Sequence, residues 1–185
     1  DGSLVAFSSD ATNLVSSDSN GLVRDVYVHN RASGEMRNFT NGGNGASDDP
    51  VLSKDGRWLA FRTQATNLPT DVPDTNGPIS DIVIANVASG ELTLVTAGAN
   101  GASSAPSMSG DGRRLVYETL ASNLTNVSNH YPIGCNPASS IDSERCVSSV
   151  VLYDRVSRFS LELTQGGTTP SRAPTISDPG THVVF

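Results

Sequence analysis

The chain repeats itself, and this restricts it to an array of similar units rather than one irregular core. Asp1-Gly2-Ser3-Leu4-Val5-Ala6-Phe7 recurs as Asp55-Gly56-Arg57-Trp58-Leu59-Ala60-Phe61, then as Asp111-Gly112-Arg113-Arg114-Leu115-Val116-Tyr117. A weaker fourth copy is Pro179-Gly180-Thr181-His182-Val183-Val184-Phe185. A second landmark follows each complete copy: Ala11-Thr12-Asn13-Leu14, Ala65-Thr66-Asn67-Leu68 and Ala121-Ser122-Asn123-Leu124. A third begins at Asp25, Asp81 and Ser149, and Ser47, Ser103 and Ser171 each precede a proline by three residues. The repeat is about 56 residues; the last interval is longer, with its extra residues between Asn123 and Asp142.

Each unit holds four short alternating or β-branched runs separated by turn residues. In the second unit they are 50–53, 58–63, 81–87 and 92–96, which predicts four antiparallel strands. Asp-Gly fits a tight hairpin, because glycine accepts positive φ and aspartate bonds its own backbone. Four strands in about 50 residues make one blade of a β-propeller. A β-helix coil is shorter than this unit, and a sandwich does not require near-identical hairpins at a fixed interval. The expected fold is therefore all-β, with about three four-stranded blades forming a segment or incomplete ring. The repeats run over about 1–48, 49–104 and 105–172, with an insertion at 126–141 and a partial fourth repeat at 173–185. A closed propeller usually needs about four to eight blades. The chain is thus expected either to be a piece of a longer protein or to complete its blades by strand exchange between copies.

Composition narrows the function classes. The formal net charge of −7 and the scatter of the basic residues argue against nucleic acid and anionic membrane surfaces as partners. No apolar run reaches the roughly 18 residues of a membrane-spanning helix. Cys135 and Cys146 lie in a loop-like stretch. One disulfide between them would close a small ring and favour an oxidising compartment; two free thiols are the other reading.

The string Ser-x-Asp-Gly-x-x-Leu-Ala-Phe, as in Pro50 to Phe61, resembles the blade motif of TolB-like propellers, and the resemblance extends over nearly the whole chain. It implies a bacterial periplasmic or secreted propeller. Members of that group mostly bind proteins or polysaccharides, and related propellers cap the catalytic domains of some serine peptidases. Such a likeness fixes architecture better than function.

The connection between the second and third strands carries the most chemical pattern. It reads Asp18-Ser19-Asn20-Gly21 up to Asp25 in the first unit and Asp74-Thr75-Asn76-Gly77 up to Asp81 in the second. Oxygen donors at Asp18, Asn20 and Asp25, and at Asp74, Asn76 and Asp81, are a candidate set for a hard cation such as Ca²⁺. The same residues also build ordinary turns, and no EF-hand glutamate closes the loop. The third unit, from Asp142 to Ser149, lacks the glycine and the final acid and is expected to bind poorly.

No Gly-x-Ser-x-Gly elbow occurs, and His29, His130 and His182 are not repeat equivalents. Asp48-Asp49 is read as a solvated pair. Sequons occur at Asn38, Asn123 and Asn126. The expectation is a non-catalytic exported scaffold that binds a protein or glycan, with the insertion and its Tyr131 as the partner-specific element. The alternatives are the propeller of a larger secreted hydrolase or peptidase, and a subunit that self-associates through open blade edges into filaments.

Overall fold

The structure is a computed structural model that describes residues 2–124, 147–164 and 169–185. Cys135, Cys146, the 126–141 insertion, His130 and the Asn126 sequon lie outside those residues. The described chain forms thirteen β-strands and no helix. A three-stranded sheet contains β1 (Leu4–Ser9), β2 (Asp25–Asn30) and β3 (Met36–Asn38). The next sheet runs in simple order through β4 (Ser47–Leu52), β5 (Trp58–Thr63), β6 (Asp81–Asn86) and β7 (Leu92–Leu94). Its counterpart is β8 (Ser103–Met108), β9 (Arg114–Thr119), β10 (Ser149–Asp154) and β11 (Phe159–Glu162). A last pair contains β12 (Thr175–Ile176) and β13 (Val183–Val184). All pairings between these strands are antiparallel; the two four-stranded sheets are whole blades of the expected all-β propeller architecture, and the three- and two-stranded sheets are parts of blades.

The middle strands explain why their sequences read as nearly continuous apolar runs. Successive side chains of a strand point to opposite faces, and both faces here are covered. Val83 and Ala85 pack with Val26, Val28, Leu59 and Phe61 in the layer toward the first blade. Ile82 and Ile84 pack with Leu115, Tyr117, Val151 and Tyr153 in the layer toward the third. Val116, Val150 and Ile176 form the next layer. Each large aliphatic side chain buried in this way contributes roughly 1.5–3 kcal/mol.

The first strand of the second blade begins earlier than its sequence suggests. The alternating run starts at Pro50, but pairing already begins at Ser47, and the register shifts between Asp48 and Val51. The proline sits in a bulge, where its missing N–H costs no ladder bond. The residue before each proline adopts a left-handed conformation: φ is 52° at Asp49 and 50° at both Ala105 and Ala173. The aligned serines close the same strands: the hydroxyls of Ser47 and Thr63 pair at 2.8 Å, and those of Ser103 and Thr119 at 2.9 Å.

The Ser-x-Asp-Gly signature is a hydrogen-bonded turn. Ser53 Oγ donates to Asp55 Oδ1 at 2.6 Å and accepts the Trp58 N–H, while Asp55 accepts the Arg57 N–H. Ser109 and Asp111 repeat the arrangement. Glycine is required twice over at Gly112. Its φ is +67°, and a Cβ there would overlap the Trp58 indole of the preceding blade. Arg155 stacks on the same indole, its guanidinium carbon 3.4 Å from the Trp58 ring centroid, and donates to the Gly112 carbonyl. Leu4 approaches Gly56 in the same way, and Arg114 approaches Gly180.

Gly112→Ala is expected to lower unfolding stability by about 2–4 kcal/mol, combining left-handed strain with overpacking. Gly34→Ala, with φ +76° but open space around its Cβ, is expected to cost only about 1 kcal/mol. Denaturant unfolding of both variants, and of Gly112→Ala combined with Trp58→Ala, checks this; the indole truncation should recover part of the loss.

Candidate functional site

Strand order separates the connections into two ends. Tight turns join β4 to β5 and β6 to β7 at one end, whereas the long β1–β2, β5–β6 and β9–β10 connections leave from the other, beside the links between blades. The Ala-Thr-Asn-Leu landmark fastens this loop end. Asn67 Oδ1 accepts the Asn44 N–H at 2.8 Å, and Asn67 Nδ2 donates to the Gly42 carbonyl. Asn44 reciprocates, accepting the Thr66 N–H and donating to Thr66 Oγ1. Asn100, Ser122, Asn123 and Gly98 reproduce the same four bonds at the next junction.

Asp18 and Asn20, and Asp74 and Asn76, lie in the two matched loops, while Asp25 and Asp81 open the strands that follow; each set is arranged as a latch. Asp25 Oδ1 accepts Thr40 Oγ1 at 2.6 Å and Asn20 Nδ2 at 3.1 Å, while its Oδ2 accepts Asn38 Nδ2 at 2.7 Å. Asp81 Oδ1 accepts Thr96 Oγ1 at 2.5 Å and Asn76 Nδ2 at 3.3 Å. Each asparagine also donates to the link ahead of the next blade, Asn20 to Gly43 O and Asn76 to Ala99 O. Asp18 and Asp74 accept the N–H of Asn20 and Asn76 in local turns. Asp25 and Asp81 thus already receive donors from within their blades. By contrast, Asp18 Oδ2, Asn20 Oδ1 and Asn76 Oδ1 are buried and have no hydrogen-bond partner. Among the described residues, no three His, Cys, Asp or Glu side chains are placed to hold a metal ion together.

Asp81 is 2% exposed. Burial pushes its carboxyl up to about 6, the hydrogen bonds from Thr96 and Asn76 oppose that rise, and the like charge of Asp74 adds to it.

The third blade lacks an acid at position 149 but retains a buried one from another strand, Glu162. Ser149 occupies the position of Asp25 and Asp81, but Glu162 reaches it from the neighbouring strand, accepting Ser149 Oγ at 2.7 Å. Glu162 pairs with Val151 as Asn38 pairs with Tyr27 and Leu94 with Val83. Aligning the fourth strands on Thr40, Thr96 and Thr164 would have revealed it.

Other candidates are absorbed by the framework. Asp48 and Asp49 are not simply solvated: Arg62 holds Asp48 through two bonds of 2.7 and 2.6 Å and lies 3.5 Å from Asp49. Arg113 pairs with Asp154 at 2.8 Å, and Arg114 donates to Gly180 O. The Asn38 and Asn123 amides of two sequons are engaged in the bonds above. His29 lies in β2, and His182 contacts Thr181. No described helix is long and apolar enough to cross a membrane.

Asp81→Asn tests the latch, since both donors bind Oδ1 and an amide oxygen keeps them. With its pKa raised above the ordinary value of 3.8, folded Asp81 holds a proton that the unfolded chain has released. Its contribution is therefore most favourable near pH 4 and is lost as pH rises through about 6. In metal-free buffer, Asp81→Asn is expected to match the parent near pH 4 and to exceed it by about 1–2 kcal/mol at pH 7. Urea unfolding at the two pH values measures the difference.

No protein-family model matches the chain, and neither does any curated protein sequence. Solved structures do. TolB from Acinetobacter baumannii superimposes with a TM-score of 0.51 at 17% identity, over 87% of this chain and 31% of that one. The tricorn protease gives 0.59 at 11% identity, over 98% and 14%. A prolyl endopeptidase gives 0.52 at 14% identity, over 87% and 22%. The chain thus spans less than a third of each of these proteins. At these identities the likeness speaks for architecture alone, and with the blade-by-blade sheet order it identifies the fold as consecutive blades of a TolB-like β-propeller.

Proposed function

We propose that the chain is part of an exported bacterial propeller that acts as a non-catalytic scaffold and binds a protein partner through its loop end. The observation that carries this reading is the repeated asparagine lattice. Asn44 with Asn67, and Asn100 with Asn123, tie a long loop to the link that enters its blade, and Asn20 and Asn76 tie the long loop of the preceding blade to the same links, so the loops are joined through the links. A surface ordered before binding loses less conformational entropy when a partner docks. The β9–β10 connection, which carries the 126–141 insertion, leaves from this same end. Variable loops on a rigid repeat framework are where propellers place recognition.

A second reading, the propeller part of a peptidase, is favoured by the likeness to tricorn protease and a prolyl endopeptidase. The two readings differ in whether the whole protein carries a nucleophile. Labelling the full-length protein with a fluorophosphonate is expected to give no active-site adduct, and a stoichiometric adduct would favour the peptidase reading.

The scaffold reading predicts that replacing residues 126–141 with a short Gly-Ser connection leaves the melting temperature within a few degrees while abolishing partner cross-links formed in the cell envelope. In-cell photo-cross-linking with mass spectrometry reads this out. Unchanged cross-links would remove the insertion from the binding surface, and cross-links only between copies would point to self-association.

A further inference from the structure

The first-blade loop contains two buried oxygens without donors. Asp18 Oδ2 and Asn20 Oδ1 are both withdrawn from solvent, and neither has a hydrogen-bond partner. Their neighbours explain why. Asp18 Oδ1 is occupied by the Asn20 N–H, and the Asn20 amide nitrogen is turned toward Asp25 Oδ1 and the Gly43 carbonyl, which leaves its oxygen directed elsewhere. Unpaired buried acceptors of this kind cost roughly 1–3 kcal/mol each, and more for a charged group.

Charge reinforces the geometry. Asp18 and Asp25 both bond Asn20, the first through its backbone N–H and the second through its amide nitrogen, so the two carboxylates share one neighbourhood. The nearest arginine in sequence, Arg24, is committed to Asp10 through two bonds of 2.9 Å. A hard cation compensates two such carboxylates and uses acceptor oxygens that no donor reaches.

We propose that the β1–β2 loop binds a calcium ion through Asp18 Oδ2 and Asn20 Oδ1, with backbone carbonyls and water completing its shell. Asp25 supports the site from behind by holding the Asn20 amide in place and is not a ligand. With one charged ligand the affinity falls in the weak range of extracellular modules, on the order of 10⁻⁴–10⁻³ M. The second blade is a built-in comparison: Asn76 Oδ1 is buried and unpartnered there, but neither oxygen of Asp74 is both, so the buried pair of free acceptors is found only in the first of the two loops. The inference does not depend on the partner-binding reading, because the ion would order the loop whatever binds to it.

Terbium, a luminescent substitute for calcium, tests it on the full chain, because Tyr27 is positioned to sensitise an ion held by Asp18. The expected result is saturable emission under tyrosine excitation, displaced by Ca²⁺ and not by equal Mg²⁺. Asp18→Asn keeps the oxygen that accepts the Asn20 N–H but replaces the unpartnered acceptor; it should weaken terbium binding at least about tenfold, whereas Asp74→Asn should change it less than about twofold. Tyr27→Phe should remove the emission yet leave calcium binding by calorimetry intact, a readout independent of Asp18 variants that fold poorly. Absence of sensitised emission from the parent, or an Asp18→Asn titration that overlays the parent's, would overturn the proposal.

Discussion

At each blade junction the Cα of a turn glycine faces the side chain two residues beyond the matching glycine of the preceding blade. Leu4 meets Gly56, Trp58 meets Gly112 and Arg114 meets Gly180. The same glycine must hold a positive φ for its hairpin to close. One residue therefore fixes the turn within a blade and the approach between blades. The two-faced middle strands depend on that approach, because Ile82 and Ile84 lose water on one side and Val83 and Ala85 on the other only if both neighbouring sheets stand at the packing distance. The side chain that meets the glycine varies from leucine to tryptophan to arginine, so each junction keeps its geometry while its chemistry changes. At the second junction the indole is further clamped by Arg155.

The loop end is governed by polar interactions. The first two junctions there each use an asparagine whose amide bonds the backbone and side chain of one residue on the next blade, and each of the three larger blades buries one carboxylate at the start of its third strand. In the first two blades the acid stands on that strand, as Asp25 and Asp81. In the third it stands on the fourth strand, as Glu162, with a serine opposite. The position thus keeps a carboxyl group while the residue supplying it changes, which a purely local turn has no reason to require. Burying an acid three times among neutral donors is costly, and the raised pKa of Asp81 expresses that cost. What the arrangement gains is a set of loops whose orientation is fixed by hydrogen bonds from more than one blade.

Architecture was legible in the sequence wherever a requirement is local and repeated. The Asp-Gly turns, the alternating strands and the serine before each turn were readable because φ, hairpin closure and side-chain period act over a few residues. The bulge at Pro50 was not, since it depends on Val51 pairing across to Ala60. The function of Asn67 was equally hidden: its partners Gly42 and Asn44 lie more than twenty residues earlier in another blade. The six candidate ligands fall in two sets of three in different blades, and only the hydrogen-bond pattern separates Asp25, already served by three donors, from Asp18, whose second oxygen is served by none. Residue type showed which side chains carry oxygen, and geometry showed which oxygens are free.

The central claim is that the repeated letters of this chain order its loop end as one surface. Amide hydrogen exchange resolved to single residues tests it most directly. The Asn44, Thr66, Asn100 and Ser122 N–H groups lie in exposed loops but donate to side chains across blade junctions. The account predicts that these four exchange orders of magnitude more slowly than an unstructured chain, and that they slow together. Exchange at unprotected rates, with β5 and β6 still protected, would contradict it: the blades would then be packed while the loops moved independently.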